Sequence, residues 1–318
     1  IVPLLIFADS LFQVYLIVFL ISSISRFFYP ARSAMIPTLV KKEQLLVANS
    51  LSHSTYEFSA IAGYAIGGML VGFLGAHAVF LIDSVSYLIS AAFIALIAFR
   101  PILKTAVKTG NVLGRVVEEF KAGLDYSYRE RKVLFLLSLL GVAVLAFAGI
   151  NILWVILIRD VMGLGVEGMG VLESVFGGGM LAGTFVVGFI GHRFRNKLLI
   201  ILGFGISSVS LLMIGLVPVL APVLVFAFIA GVFTSFVNIP TITVLQKVVP
   251  EDMLGRVFSL LGTLTDTAGI ISMAAIGVLA EVFPVQDLII WLSLALLVVT
   301  IAAFLVPIQL ESDDGDLR

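Results

Sequence analysis

Residues 197–247 read KLLIILGFGISSVSLLMIGLVPVLAPVLVFAFIAGVFTSFVNIPTITVLQK. Between the flanking Lys197 and Lys247 no side chain carries a formal charge. A bilayer core about 30 Å thick is crossed by roughly 20 apolar helical residues, so this run is long enough to cross twice. Pro218 and Pro222 mark the turn between the two crossings. The apolar residues are continuous rather than alternating, which specifies helices and not barrel strands.

Working outward, Val133 to Ile158 and Leu288 to Leu310 are further uncharged runs. Reading the remainder the same way predicts an all-α membrane protein with nine full helices. They are expected near 11–35, 49–74, 79–99, 133–158, 167–190, 198–217, 221–244, 255–281 and 287–307. The opening run Ile1 to Phe7 is too short to span and has no charged segment before it, so it is read as the end of a partial helix rather than a signal peptide. The chain is therefore expected to be an N-terminally truncated fragment.

Composition agrees. Of 318 residues, 60% are apolar and 12% charged, about half the charge of a soluble domain. Mean hydropathy is +1.18. An ordinary soluble enzyme, a nucleic-acid binder and a disordered chain are excluded. With no cysteine there is no disulfide, thiolate metal site or redox motif. His53, His77 and His192 are too scattered for a metal cage, so no metal or cofactor is expected.

The basic residues sort by connection. Lys41 and Lys42 share one loop, Arg193, Arg195 and Lys197 a second, and Lys247 and Arg256 a third, while the stretch from Arg100 through Lys132 contains eight Lys and Arg. Counting crossings puts all four on one side. The opposite connections, near Gly75, Asp160, Leu220 and Pro284, contain only Arg159. The positive-inside rule makes the four basic loops cytoplasmic, together with the acidic tail from Glu311. In the longest connection Leu113, Val116, Val117, Phe120 and Leu124 recur at three- and four-residue spacing among charged residues. That pattern is an amphipathic helix on the membrane face, either a bridge between two bundles or a solvated linker.

A parallel repeat is also legible. Val40, Glu43 and Leu46 match Val248, Glu251 and Leu254, and Glu57, Ile61, Gly68 and Leu70 match Asp266, Ile270, Gly277 and Leu279. Both windows run from a basic loop into a Gly-rich helix. Such a repeat means two bundles related by an axis along the membrane normal, the first beginning about 75 residues before Ile1.

Specific residues carry a resemblance. The run Phe27-Phe28-Tyr29-Pro30-Ala31-Arg32-Ser33-Ala34-Met35-Ile36-Pro37, then Glu43-Gln44-Leu45 and Ala48-Asn49-Ser50-Leu51, resembles the major facilitator superfamily. The likeness is to its drug:proton antiporter branch, which includes macrolide efflux proteins. Phe80-Leu81-Ile82-Asp83 and Val249-Pro250-Glu251-Asp252 with Gly255-Arg256-Val257 are similar too. The resemblance implies a two-bundle fold holding part of the third helix through the twelfth. Residues 1–99 would be an incomplete N-terminal bundle, 100–132 a cytoplasmic linker, 133–310 a six-helix C-terminal bundle and 311–318 a cytoplasmic acidic tail. The family's cytoplasmic gating loop resembles Gly188-Phe189-Ile190-Gly191-His192-Arg193-Phe194-Arg195-Asn196-Lys197, with His192 where Asp is usual. Its antiporter motif resembles Gly63-Tyr64-Ala65-Ile66-Gly67-Gly68, with Tyr64 where Pro is usual.

Ionisable groups at membrane depth are costly and therefore functional candidates. Asp266 and Glu57 occupy equivalent repeat positions and are candidates for proton coupling, as is Glu173 one turn before Gly177-Gly178-Gly179. Glu57 is alternatively placed to meet Lys41 or Arg193, and Glu173 to be a structural acid. Arg26, beside Tyr29, is a cavity candidate able to hold an anionic group, or else a structural ion-pair partner. Asn151 and Trp154, and Thr234, Asn238 and Thr241, form polar stripes that suit either a wide apolar drug pocket or helix–helix contacts in lipid. Asp83 reads as a helix-start or interhelix hydrogen-bonding group. The expected activity is secondary efflux of small amphipathic or hydrophobic compounds of drug or macrolide type by alternating access, coupled to protons. The alternative is export or flipping of a native metabolite such as a siderophore or lysophospholipid. The expected setting is a monomer in the cell membrane with lipid, a small-molecule substrate and protons as partners, no nucleic acid and no enzymatic chemistry. Gly163-Leu164-Gly165-Val166-Glu167-Gly168 has dinucleotide-loop spacing but no strand before it, and no Walker A sequence occurs.

Overall fold

The structure is a computed structural model that describes Leu4 and residues 10–96 and 112–310. Most of the opening stub, residues 100–111 of the linker and the acidic tail lie outside the described residues. The described part is all helical: α1 (Leu11–Leu39), α2 (Leu45–Ala95), α3 (Val112–Arg129), α4 (Arg131–Ile156), α5 (Val166–Ile190), α6 (Asn196–Leu216), α7 (Leu220–Val248), α8 (Glu251–Leu279) and α9 (Val285–Leu305). Among the described residues, eight helices are long and apolar enough to cross a membrane. The expected total also counts segment 49–74, which is helical, and the stub before Ser10.

Helix ends follow local chemistry. Gly75 breaks α2 with φ 77° and ψ 161°, a conformation open to glycine and strained for any residue with a Cβ. Gly163, at φ 68°, turns the chain after a π-helical turn over Leu157–Val161 and delivers it to α5. Pro250 precedes α8 and Pro284 precedes α9, where a missing N–H costs nothing.

The chain divides into two compact units. One comprises residues 1–32 and 59–116, the other residues 33–58 and 117–318. In the first, Phe12, Phe19, Phe27, Leu88 and Phe93 are exposed, the surface a helix offers to lipid rather than water. In the second, α7 packs on α5 and α6, α8 on α4, and α9 on α6 and α4. One apolar core gathers Val133, Leu136, Val244, Leu254 and Phe258 near the end carrying Lys197 and Lys247, called the basic end below. Another gathers Leu153, Leu157, Leu211, Ile214 and Leu288 toward the opposite end. Phe189, Val225, Ile270, Val298 and Phe304 face outward around the unit.

Glycines set the closeness of α5 to α7. A Cβ on Gly179 would lie 2.2 Å from the Phe228 carbonyl oxygen, one on Gly183 2.2 Å from that of Val232, and one on Gly231 2.2 Å from that of Phe176. Small residues four apart allow this backbone contact where lipid supplies no hydrophobic drive between helices. Ser235 donates to the Met180 carbonyl at 2.8 Å across the same seam.

Candidate substrate cavity and polar clasp

Two features of the second unit place polar groups where hydrophobic packing alone would not. The first is a cavity of about 230 Å³ among α4, α5, α6 and α7. Its wall brings together Asn151, Trp154, Glu173, Thr234 and Asn238, all singled out from sequence, with apolar side chains between them. Trp154 is 4% exposed and meets Phe176 edge to face, ring centroids 5.3 Å apart. Its indole N–H is buried with no hydrogen-bond partner among the described residues. An orphan donor of this kind costs about 1–3 kcal/mol unless water or a ligand satisfies it. The third member of the α7 stripe, Thr241, is instead buried and donates to the Val237 carbonyl of its own helix at 2.6 Å. The polar stripe thus divides into two residues at the cavity and one that serves packing.

The second feature joins residues 33–58 to α5 and α7 at the basic end. The Asn49 amide donates to Thr243 Oγ1 at 3.0 Å and to Gln246 Oε1 at 2.6 Å, and the Gln246 amide donates to the Ser33 carbonyl at 2.7 Å. Asn49, Thr243 and Gln246 are all buried. One turn deeper, His53 Nδ1 lies 3.4 Å from Thr184 Oγ1 and 3.8 Å from the Glu57 carboxylate. Glu57 is 8% exposed, and the basic side chain it meets is the His53 imidazole of its own helix rather than Lys41 or Arg193. A Cβ on Gly188 would approach Ser50 Cβ to 3.1 Å, and one on Gly191 would approach Leu46 Cδ2 to 2.8 Å. Both glycines therefore let α2 sit close on the end of α5.

Other sequence candidates fall elsewhere. His192 and Arg193 lie exposed in a 3₁₀ turn after α5. Lys197 turns away from that loop and donates to the Phe304 and Val306 carbonyls at the end of α9. Those carbonyls have no intrahelical donor, and an ammonium there also opposes the helix dipole. Asp266 is half-buried on α8 and does not line the cavity. Arg26 and Tyr29 belong to the first unit, on the exposed part of α1. Beside them the Arg32 guanidinium lies over the Phe28 and Tyr29 rings at 5.9 and 5.7 Å. Asp83 is exposed on α2. The amphipathic segment forms α3, whose Glu119 pairs with Arg256 at 2.6 Å while Val117, Phe120 and Leu124 stay exposed. Burial, reinforced by the carboxylates of Glu130 and Asp252, holds the Tyr126 hydroxyl protonated above its ordinary range.

Residues 4–317 match the family described as transmembrane secretion effector. The chain belongs to that family of major facilitator transporters. It is 30% identical over 291 residues to the MFS-type transporter YfiS of Bacillus subtilis, a match covering 87% of this chain and 67% of the relative. It is 26% identical over 307 residues to macrolide efflux protein A of Streptococcus pyogenes, covering 95% of this chain and 74% of the relative. Among solved structures, a bacterial homologue of the iron transporter ferroportin, outward-facing, superposes with a TM-score of 0.63 at 18% identity. The match covers 85% of this chain and 64% of that one. The E. coli fucose:proton symporter gives 0.64 at 16% identity, covering 86% and 72%. These structural likenesses establish a major facilitator fold, and family membership makes this a multi-pass membrane protein whose relatives are transporters, not enzymes.

Proposed function

We propose that the protein is a secondary exporter of small amphipathic or hydrophobic compounds, working by alternating access across nine full helices and a partial tenth, and coupled to protons. The observation that carries this reading is the cavity: a mostly apolar wall with a few separated polar groups, the lining expected for a ligand held by burial and oriented by two or three hydrogen bonds. The macrolide efflux relatives support export as the direction of transport. At about 230 Å³ the cavity takes one ring system rather than a whole macrolide, so it is a subsite for part of a larger compound.

On this reading the basic end and the acidic tail face the cytoplasm in the cell membrane. The Asn49–Gln246–Ser33 clasp is then the closed cytoplasmic gate, a set of bonds that must break each time the site opens inward. Asp266 carries the proton, and Glu57 rests on His53 beneath the clasp. The protein acts as a monomer, since each cycle needs only the two bundles of one chain.

The test is accumulation of a fluorescent dye or a macrolide by cells expressing the protein, with and without a proton uncoupler. Energy-dependent export that stops with the uncoupler is expected. Export that survives collapse of the proton gradient removes proton coupling, and absence of any export removes the exporter reading. Asp266→Asn is expected to abolish active efflux and leave drug binding intact, and unchanged transport would take Asp266 out of the mechanism.

A further inference from the structure

We infer that the cavity recognises a positively charged, amphipathic ligand through Glu173, so that the exported class is lipophilic amines rather than neutral or anionic compounds. This deepens the exporter reading and rests on it. Among the described residues, Glu173 is the only formally charged one in the cavity wall, with no Lys, Arg or His beside it there. Among the described residues its carboxylate makes no hydrogen bond and no ion pair. Phe147, Trp154, Phe176 and Phe204 supply aromatic rings to the same wall. Ring faces carry negative quadrupole potential and attract ammonium groups, and they repel anions as the carboxylate does.

The charge balance of the wall decides among ligand classes. Glu173 is exposed at the cavity wall, so a neutral ligand covering it would strip water from the carboxylate and leave it without a charge partner. An anion meets the same carboxylate with no cation to offset it. A protonated or quaternary amine replaces the lost hydration of Glu173 with a charge partner while its apolar body covers the rings. The Asn151 and Asn238 amides can donate to ether or hydroxyl oxygens on that body, while the Thr234 hydroxyl, which donates to the Ala230 carbonyl at 2.8 Å, can only accept from a hydroxyl.

The protein offers its own reporter. It contains two tryptophans, Trp154 in the cavity and Trp291, which is 49% exposed and meets Phe283 edge to face. Trp291→Phe leaves Trp154 emission as the sole signal. In purified protein carrying that change, benzyltrimethylammonium, its neutral carbon isostere neopentylbenzene and the anion phenylmethanesulfonate are titrated against Trp154 fluorescence. The cation is expected to bind about tenfold or more tightly than either of the others. E173Q is expected to lose about tenfold in cation affinity with little change for the neutral compound, and E173D to keep the preference. Equal affinity for cation and anion, cation affinity unchanged in E173Q, or no response to any of the three overturns the inference. Glu173-dependent cation binding without cellular efflux refutes the exporter reading alone, whereas gradient-driven efflux with charge-blind binding refutes this inference alone.

Discussion

Adjacent glycines on α5 provide a test in which two nearly identical substitutions should have opposite signs. Gly179 faces the α7 backbone, where a new Cβ would sit 2.2 Å from the Phe228 carbonyl oxygen, whereas a Cβ on Gly178 meets nothing within 4 Å. Relief to an ordinary contact of roughly 3.4 Å requires the helices to part by about 1 Å, because the obstacle is main chain and not a mobile side chain. Overpacking of this kind costs about 1–3 kcal/mol, and the upper end applies where backbone meets backbone. Alanine gains about 1 kcal/mol over glycine in a helix interior. The balance is a net loss of about 2 kcal/mol for Gly179→Ala and a gain approaching 1 kcal/mol for Gly178→Ala. Gly183→Ala should follow Gly179→Ala, since its Cβ would meet the Val232 carbonyl oxygen at the same 2.2 Å.

The assay is unfolding of the purified variants in mixed micelles, followed by helical circular dichroism against denaturant fraction. Comparing neighbours on one helix cancels most effects of the unfolded reference. Because Phe176 and Met180 on α5 face Thr234 and Val237 on α7 around the cavity, parting the seam should also weaken ligand binding in Gly179→Ala and leave Gly178→Ala normal. If Gly179→Ala unfolds no earlier than Gly178→Ala, the close α5–α7 seam is wrong.

Three further outcomes follow from the geometry. Replacing Asn49 by Leu strands the buried Gln246 and Thr243 groups at a cost of about 1–3 kcal/mol; since the chain has no cysteine, maleimide labelling of a single Ser54→Cys should then accelerate about 5- to 100-fold. Unchanged labelling would mean that the clasp does not hold the basic end shut. Lys197→Met should lower stability by about 0.3–1 kcal/mol, measurable by thermal unfolding, by uncapping the last carbonyls of α9. Glu119→Ala should cost less than about 1 kcal/mol, and this difference should shrink further in high salt, because the Arg256 and Glu119 side chains are 32% and 52% exposed.

How far the sequence reaches depends on which interactions leave a periodic trace. The lipid-facing helices do, because a crossing demands an unbroken apolar run, and the starts of α5, α6, α7 and α9 fall within two residues of the expected positions. The break at Gly75 is legible too, since a glycine between two such runs marks a turn. The cavity side of the C-terminal bundle shows itself as polar residues at helical spacing, and Asn151, Trp154, Thr234 and Asn238 do meet there. What the spacing does not separate is Thr241 from Thr234, because both bond their own helix and share one periodicity, and only Thr234 lies in the cavity wall. The clasp is invisible for a different reason. Asn49 and Gln246 are 197 positions apart, and each alone is an ordinary amide at a helix end. The one trace is the expected repeat, which would pair Leu46 with Leu254, both buried at the start of their helices. Equivalent positions in two repeats are driven toward equivalent burial, yet Asn49 then faces α7 with an amide where Val257 presents an apolar side chain to the core. A polar residue in one repeat opposite an apolar one in the other marks where the halves have stopped doing the same job. On the proposed gating cycle, Asn49 belongs to a contact that breaks and reforms, while Val257 belongs to one that stays packed.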